Sequence, residues 1–218
     1  MMALTSTFAM CQRRKLRLFG LIRNRMIAFV ASLQLIRPRR FVDDRGWFSE
    51  VYSQTALARL GILDVFVQDN HSFSKPAGTI RGLHFQAPPF AQAKLVRCIR
   101  GCIYDVVVDL RASSPTFGKW TGAELSAENG RQLYIPVGFA HGFATLEQDC
   151  EIGYKVTQSY CPGADGGIRW DDADLAVDWH LPFGLTPTLS QKDQDLPSLA
   201  GFESPFSYDG VPLAALLR

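Results

Sequence analysis

Ala93-Lys94-Leu95-Val96-Arg97-Cys98-Ile99-Arg100-Gly101-Cys102-Ile103-Tyr104-Asp105-Val106-Val107-Val108-Asp109-Leu110-Arg111 is the run that decides the fold. It holds two apolar, β-branched stretches parted by Arg100-Gly101, which reads as two strands joined by a hairpin turn. The same pattern recurs outward in both directions, roughly every 10–15 residues. Residues 65–74 and 79–86 read as strands on one side, and 121–128, 131–137, 142–148 and 150–160 on the other. Glu128-Asn129-Gly130 predicts a second hairpin turn. Residues 23–38 and 46–53 also read as strands, and only 53–60 (SQTALARL) suggests a helical turn or two. No long amphipathic helix precedes residue 193. This spacing predicts an all-β, antiparallel jelly roll, an architecture that often encloses a ligand cavity. One domain is expected over 26–195. A basic extension, 1–25, precedes it, and a tail rich in Pro, Ser and Asp, 196–218, follows and packs back on it.

A chain of 218 residues is long enough for a substantial core, and its 47% hydrophobic content excludes a disordered chain. Its 23 Lys and Arg nearly balance its 21 Asp and Glu, but the charge is uneven. Residues 1–25 carry Arg13, Arg14, Lys15, Arg17, Arg23 and Arg25 and no acid, so the remainder is mildly acidic. That argues against nucleic acid as a partner and requires any anion site to be built locally. The basic segment has the composition of a transit peptide or a surface helix. The simpler reading is a loosely attached extension outside the chemistry, with Met26 as the natural start. Cys11, Cys98, Cys102, Cys150 and Cys161 are odd in number and lack CxxC spacing. Buried thiols in a reducing cytoplasm are expected, not a zinc cluster or a disulfide framework. No apolar run is long enough for a membrane span.

Only four histidines are present. His71 and His180 read as structural. In Arg81-Gly82-Leu83-His84-Phe85-Gln86, alternation puts Leu83 and Phe85 on one face and His84 and Gln86 on the other. His84 therefore faces either out or into a cavity, depending on which face meets the core. His141 lies in Ile135-Pro136-Val137-Gly138-Phe139-Ala140-His141-Gly142-Phe143, between glycines that permit close approach of a ligand. Neither His84 nor His141 has a histidine two residues away, so the HxH pair that seeds a metal site in many small jelly rolls is absent.

These motifs, read in order, carry a resemblance. They are Phe66-Val67-Gln68-Asp69-Asn70-His71-Ser72, the Arg81–Gln86 run, Lys94-Leu95-Val96-Arg97, Asp105-Val106-Val107-Val108-Asp109-Leu110-Arg111, Ser114-Pro115-Thr116-Phe117-Gly118, the Ile135–Phe143 run and Tyr154-Lys155-Val156-Thr157. In order and spacing they resemble the dTDP-4-dehydrorhamnose 3,5-epimerase family, over about residues 34–195. The resemblance implies a cupin-like jelly roll, a homodimer, no cofactor, a cytoplasmic location, and a dTDP-linked 4-keto-6-deoxy sugar as substrate in rhamnose synthesis.

Inverting a carbon beside a ketone needs a base on one face, a stabilised enolate oxygen and a proton donor on the other face. The resemblance implies His84 as the base and Asp193, in Ser190-Gln191-Lys192-Asp193, as the carboxylate that sets its tautomer. It implies Lys94 at the enolate oxygen and Tyr154 as the opposite donor. Arg45 and Arg81 are implied as phosphate contacts; Glu50, Gln68, Asp69, Asn70, His141 and Lys192 as further substrate contacts; and Tyr160 as the ring that stacks on thymine. Asp165 stands where the family often has Glu, one methylene shorter. The stretch before Ser190 is longer than usual, and Trp179-His180-Leu181-Pro182 replaces the usual Trp-Pro. The tail 196–218 has no counterpart. Three readings follow: the 3,5-epimerase; an epimerase acting at one carbon or on another nucleotide sugar; and a non-catalytic sugar-binding protein or metal-dependent cupin oxygenase. The retained His84, Lys94, Tyr154 and Asp193 argue against a binding module, and the missing HxH against the oxygenase.

Overall fold

A computed structural model describes residues 32–216. The strands are β1 (Gln34–Ile36), β2 (Arg40–Asp43), β3 (Gly46–Ser49), β4 (Gln68–Ser74), β5 (Ile80–Gln86), β6 (Lys94–Arg100), β7 (Cys102–Asp109), β8 (Trp120–Ser126), β9 (Gln132–Ile135), β10 (Phe139–Thr145), β11 (Cys150–Val156) and β12 (Asp165–Gly167). Two short helices, α1 (Gln54–Arg59) and α2 (Gln191–Gln194), accompany them. One five-stranded sheet has the order β1-β9-β6-β11-β4, a second has β12-β5-β10-β7-β8, and β2 and β3 form a separate ribbon. Every strand pairing is antiparallel, as in the expected jelly roll.

Both turns expected to close hairpins do something else. β6 pairs with β9 and β11, while β7 pairs with β10 and β8. Arg100-Gly101 therefore carries the chain from the first sheet to the second. Asn129-Gly130 carries it back, from β8 to β9. A turn residue permits the chain to reverse, but the burial of the flanking faces selects the partner strand. Gly101 is still required, since its φ is +79° and an added Cβ would fall 2.5 Å from Cys150 Sγ.

Apolar side chains of the two sheets meet in a common core. Val96, Cys98, Leu133, Ile135 and Ile152 from the first sheet pack with Ile103, Val107, Leu125, Phe139 and Phe143 from the second. A second cluster lies behind the second sheet, where Leu83, Phe85, Val106 and Val108 are covered by Leu175, Trp179 and Phe206. Fully burying each large side chain of this kind contributes roughly 1.5–3 kcal/mol. A third cluster joins Leu95 and Tyr134 behind the first sheet to Leu57 of α1. Ser53 caps that helix by accepting from the Ala56 N–H at 3.3 Å.

The tail is tied to the second sheet. Asp209 accepts from Arg111 Nη1 at 2.7 Å, the Ala112 N–H donates to the Phe206 carbonyl at 2.8 Å, and Phe206 is buried. Cys98, Cys102 and Cys150 are buried free thiols, and burial pushes Cys98 and Cys102 up to about 12. Among the described residues no helix is long and apolar enough to cross a membrane. The basic extension 1–25, Cys11 and Met26 lie outside the described residues.

Candidate active site

The position of His84 follows from the layer behind β5. Leu83 and Phe85 belong to the cluster covered by Trp179 and Phe206, so alternation turns His84 and Gln86 toward the space between the sheets. Of the two orientations that the sequence left open, the inward one is found. Gly82 and Gly142 let β5 and β10 approach closely there, because a Cβ on Gly82 would lie 2.5 Å from Gly142 Cα. The register then sets His84 directly opposite His141.

These residues wall a pocket of about 260 Å³. The second sheet contributes Arg81, His84, His141 and Phe143, and the first contributes Ser72, Lys94 and Tyr154. Ser190, Lys192 and Asp193, at α2, close one side. Ser190 is the N-cap of this short turn; its Oγ accepts from the Asp193 N–H at 3.1 Å.

His84 Nε2 lies 2.6 Å from Asp193 Oδ1. The oxygen sits off the line of the ring N–H, so the two groups are in close contact without an aligned hydrogen bond. Asp193 also accepts from Ser190 Oγ at 2.7 Å and from the Gly82 N–H at 3.4 Å. Burial works against its charged form, but His84, Ser190 and Gly82 together hold its carboxyl below the usual range. The longer stretch before Ser190 does not displace Asp193 from His84.

Lys94 is buried, and its Nζ donates to the His84 carbonyl at 3.4 Å. Burial lowers its pKa to about 8, against the opposing pull of Asp105 and Asp165. His141 Nε2 donates to Asp105 Oδ2 at 3.0 Å, and both side chains are buried. Burial lowers the His141 pKa more than Asp105 raises it, with Lys94 and His84 adding to the downward side. Burial thus favours the neutral ring. Tyr154 reaches the pocket from the sheet opposite His84, and burial raises its phenol pKa although Arg81 and Lys192 pull it down.

A polar string leads away from the pocket. Lys192 Nζ ion-pairs with Asp165 Oδ2, which also accepts from the Tyr160 hydroxyl at 3.2 Å. The Tyr160 N–H donates to Gln68 Oε1 at 3.2 Å, and Gln68 Nε2 donates to Asn70 Oδ1 at 2.8 Å. Tyr160 is exposed, as a stacking surface must be. Thus Arg81, His84, Lys94, His141, Tyr154, Lys192 and Asp193 are brought together, with Gln68, Asn70, Tyr160 and Asp165 linked to them. Three expected residues are not. Arg45 is exposed on the β2–β3 turn, paired with Asp43 at 2.6 Å. Glu50 and Asp69 do not line that pocket but an adjoining groove of about 380 Å³, which shares Tyr154 with it and is also lined by Asn70, His71, Arg97 and Lys155. Sequence reasoning missed Ser72, Ser190 and Asp105. Only Asp105 carried a signal, as a lone acid at the head of a run of valines.

Comparison with known proteins agrees over most of the chain. Residues 29–201 match the family model described as dTDP-4-dehydrorhamnose 3,5-epimerase. A protein of that description from Sinorhizobium fredii is 53% identical over 180 residues, spanning 82% of this chain and 91% of the relative. The crystal structure of a dTDP-4-dehydrorhamnose 3,5-epimerase from Bacillus anthracis, with TDP and pyrophosphate bound, is 51% identical, with a TM-score of 0.74 over 77% of this chain and 94% of that one. A dTDP-6-deoxy-D-glucose-3,5-epimerase from Legionella pneumophila, in complex with dTDP-4-keto-L-rhamnose, is 43% identical, with a TM-score of 0.74 over 78% of this chain and 89% of that one.

Proposed function

This chain belongs to the dTDP-4-dehydrorhamnose 3,5-epimerase family, and we propose that it inverts C3 and C5 of dTDP-4-dehydro-6-deoxyglucose with His84 as base and Tyr154 as the opposing donor. One observation carries the assignment of roles: a histidine braced by a buried carboxylate at 2.6 Å and a tyrosine reach one pocket from opposite sheets.

The C4 ketone acidifies the protons at C3 and C5. His84 takes one of them, and the electron pair of the broken C–H bond moves to the C4 oxygen as an enolate. The imidazolium left behind is stabilised by Asp193. The Lys94 ammonium, already desolvated, offers its charge to the enolate oxygen, where a fixed charge in a dry site acts strongly. The enolate carbon then takes a proton from Tyr154 on the other face, and solvent carries the proton held by the His84 imidazolium to the Tyr154 phenolate, which restores both groups. The phenol is protonated at neutral pH, and the cations of Arg81 and Lys192 act against the rise that burial imposes on its pKa, which favours proton donation. Arg81 and Lys192 supply cations for the diphosphate, and Tyr160 supplies a flat surface for thymine.

The protein acts as a homodimer in this reading. The β2–β3 ribbon exposes Phe41, Val42, Trp47 and Phe48, an apolar surface that a second copy would cover. Arg45 sits on the same ribbon, away from the pocket of its own chain, which fits a site completed by the partner copy.

The test is proton exchange followed by NMR, with the dTDP 4-keto-6-deoxy sugar in D₂O. Deuterium should enter at both C3 and C5. His84→Asn should slow exchange by roughly 10²–10⁴-fold. Tyr154→Phe should depress net inversion far more than exchange, because an enolate can be reprotonated from the face it left. Deuterium at one carbon would reduce the activity to a single-site epimerase, and none would remove it.

A further inference from the structure

Asp105 opens the motif Asp105-Val106-Val107-Val108-Asp109-Leu110-Arg111, and the chemistry above does not use it. Its neighbours on β7, Tyr104 and Val106, are buried, and Asp105 is itself fully buried, at 0% exposure. The other acid of the motif, Asp109, has an evident structural role, since it accepts from Arg111, Ser114 and Thr116. Asp105 has one hydrogen-bond partner among the described residues. Oδ2 accepts from His141 Nε2 at 3.0 Å, while Oδ1 is buried and bonds to no described residue. For stability alone a valine at this place would be the cheaper choice, since a buried carboxylate loses its hydration and recovers only part of it here.

The register explains what the carboxylate does. β10 pairs with β7 so that His141 is opposite Val107 and Phe143 opposite Asp105. His141 and Asp105 are thus diagonal neighbours on the face that lines the pocket. We propose that Asp105 is a positioning residue, which acts through His141 by holding its Nε2–H toward the sheet wall and leaving Nδ1 as the acceptor offered to a hydroxyl of the bound sugar. The ring nitrogens are distinct groups, and the bond made by one decides the role of the other. A ring held this way accepts a hydrogen bond from a sugar hydroxyl and donates none. It thereby sets the sugar's orientation against His84, which lies opposite His141 in the adjoining register. This inference rests on the proposed use of the pocket for a nucleotide sugar.

The first measurement needs no turnover. Long-range ¹H–¹⁵N correlation spectra of the histidine side chains report the tautomer, and His141→Gln assigns the signal. Wild type should show His141 protonated at Nε2 only, and Asp105→Ala should show a mixture. Asp105→Asn keeps an oxygen acceptor in the same place and should retain the wild-type tautomer. In kinetics, Asp105→Ala should lose about 10–100-fold in kcat/KM, by analogy with the loss when the partner that orients a metal-ligating histidine is removed. Asp105→Asn should recover most of that loss. The double variant Asp105→Ala, His141→Gln should be no slower than His141→Gln alone. An unchanged tautomer in Asp105→Ala, or losses that simply add in the double variant, would overturn the proposal. If Asp105→Ala does not fold, Asp105→Asn decides on the same spectrum: a lost wild-type tautomer overturns the proposal and a kept one supports it. A wild-type protein that turns over no nucleotide sugar would defeat the proposed function while leaving the tautomer result to stand.

Discussion

Lys94 is the residue at which stability and activity pull apart. Its ammonium is buried, and its pKa falls from 10.5 to about 8. The folded protein therefore gives up this proton between pH 10.5 and 8, where the unfolded chain still holds it. By linkage, stability from this group is fully present above pH 10.5 and is lost as pH falls toward 8. The charge that serves the enolate is present only below about pH 8. Turnover should thus fall as pH rises through 8, over the range in which this group makes the fold more stable. Lys94→Met should raise unfolding stability at pH 7 by about 1–3 kcal/mol, since the net environment, Asp105 included, disfavours the charge. The same variant should lose the alkaline fall in turnover, together with most of the turnover. Denaturant melts and a pH–rate profile on the two proteins check both halves. A destabilised Lys94→Met would mean that Asp105 needs Lys94 more than burial penalises it. The sequence made Lys94 conspicuous, because a lysine between apolar strand neighbours needs a reason. It marked Asp105 only as an acid before a run of valines and did not name its partner, which appears only when β7 is laid beside β10.

At the scale of elements, the period-two alternation of β5 was legible, but which of its faces met the inter-sheet space was not. That depended on Trp179 and Phe206, which are 94 or more residues from Phe85 and cover the Leu83 and Phe85 face. The turns follow the same logic. Arg100-Gly101 and Asn129-Gly130 mark reversals correctly, and neither names the sheet to which the chain goes next. Gly82 offers the sharpest element-level test. Its φ is +123°, and a Cβ there would press on the backbone of Gly142 and on the His141 carbonyl, at 2.5 and 2.7 Å. Neither neighbour is a flexible side-chain end, so β5 and β10 must separate. Gly82→Ala should cost about 2 kcal/mol or more of stability, as expected where Ala meets a positive φ and a backbone clash. It should also move the Gly82 N–H away from Asp193 and lower turnover more than the loss of fold explains. A variant as stable as wild type would show that the strands have slack at this crossing.

The whole molecule raises the question of how many chains make one site. Seven of the expected residues meet in a single pocket, yet Arg45 lies on a ribbon whose other residues include exposed Phe41, Trp47 and Phe48. If the ribbon reaches over to a second copy, Arg45 serves the partner's pocket. Mixing two inactive variants decides this. In a mixed dimer of His84→Asn chains with Arg45→Ala chains, one pocket holds the intact His84 of the second chain and receives the intact Arg45 of the first. The other pocket holds both defects. Unfolding and refolding the two variants together at equal amounts should therefore restore activity, to about a quarter of the wild-type value when half of the dimers are mixed and each has one working site. If Arg45 serves its own chain's pocket, every pocket in the mixture carries a defect, and activity stays at the average of the two variants. If sedimentation shows the chain to be monomeric at assay concentration, the ribbon must be covered by something else and the exchange of residues between copies fails with it.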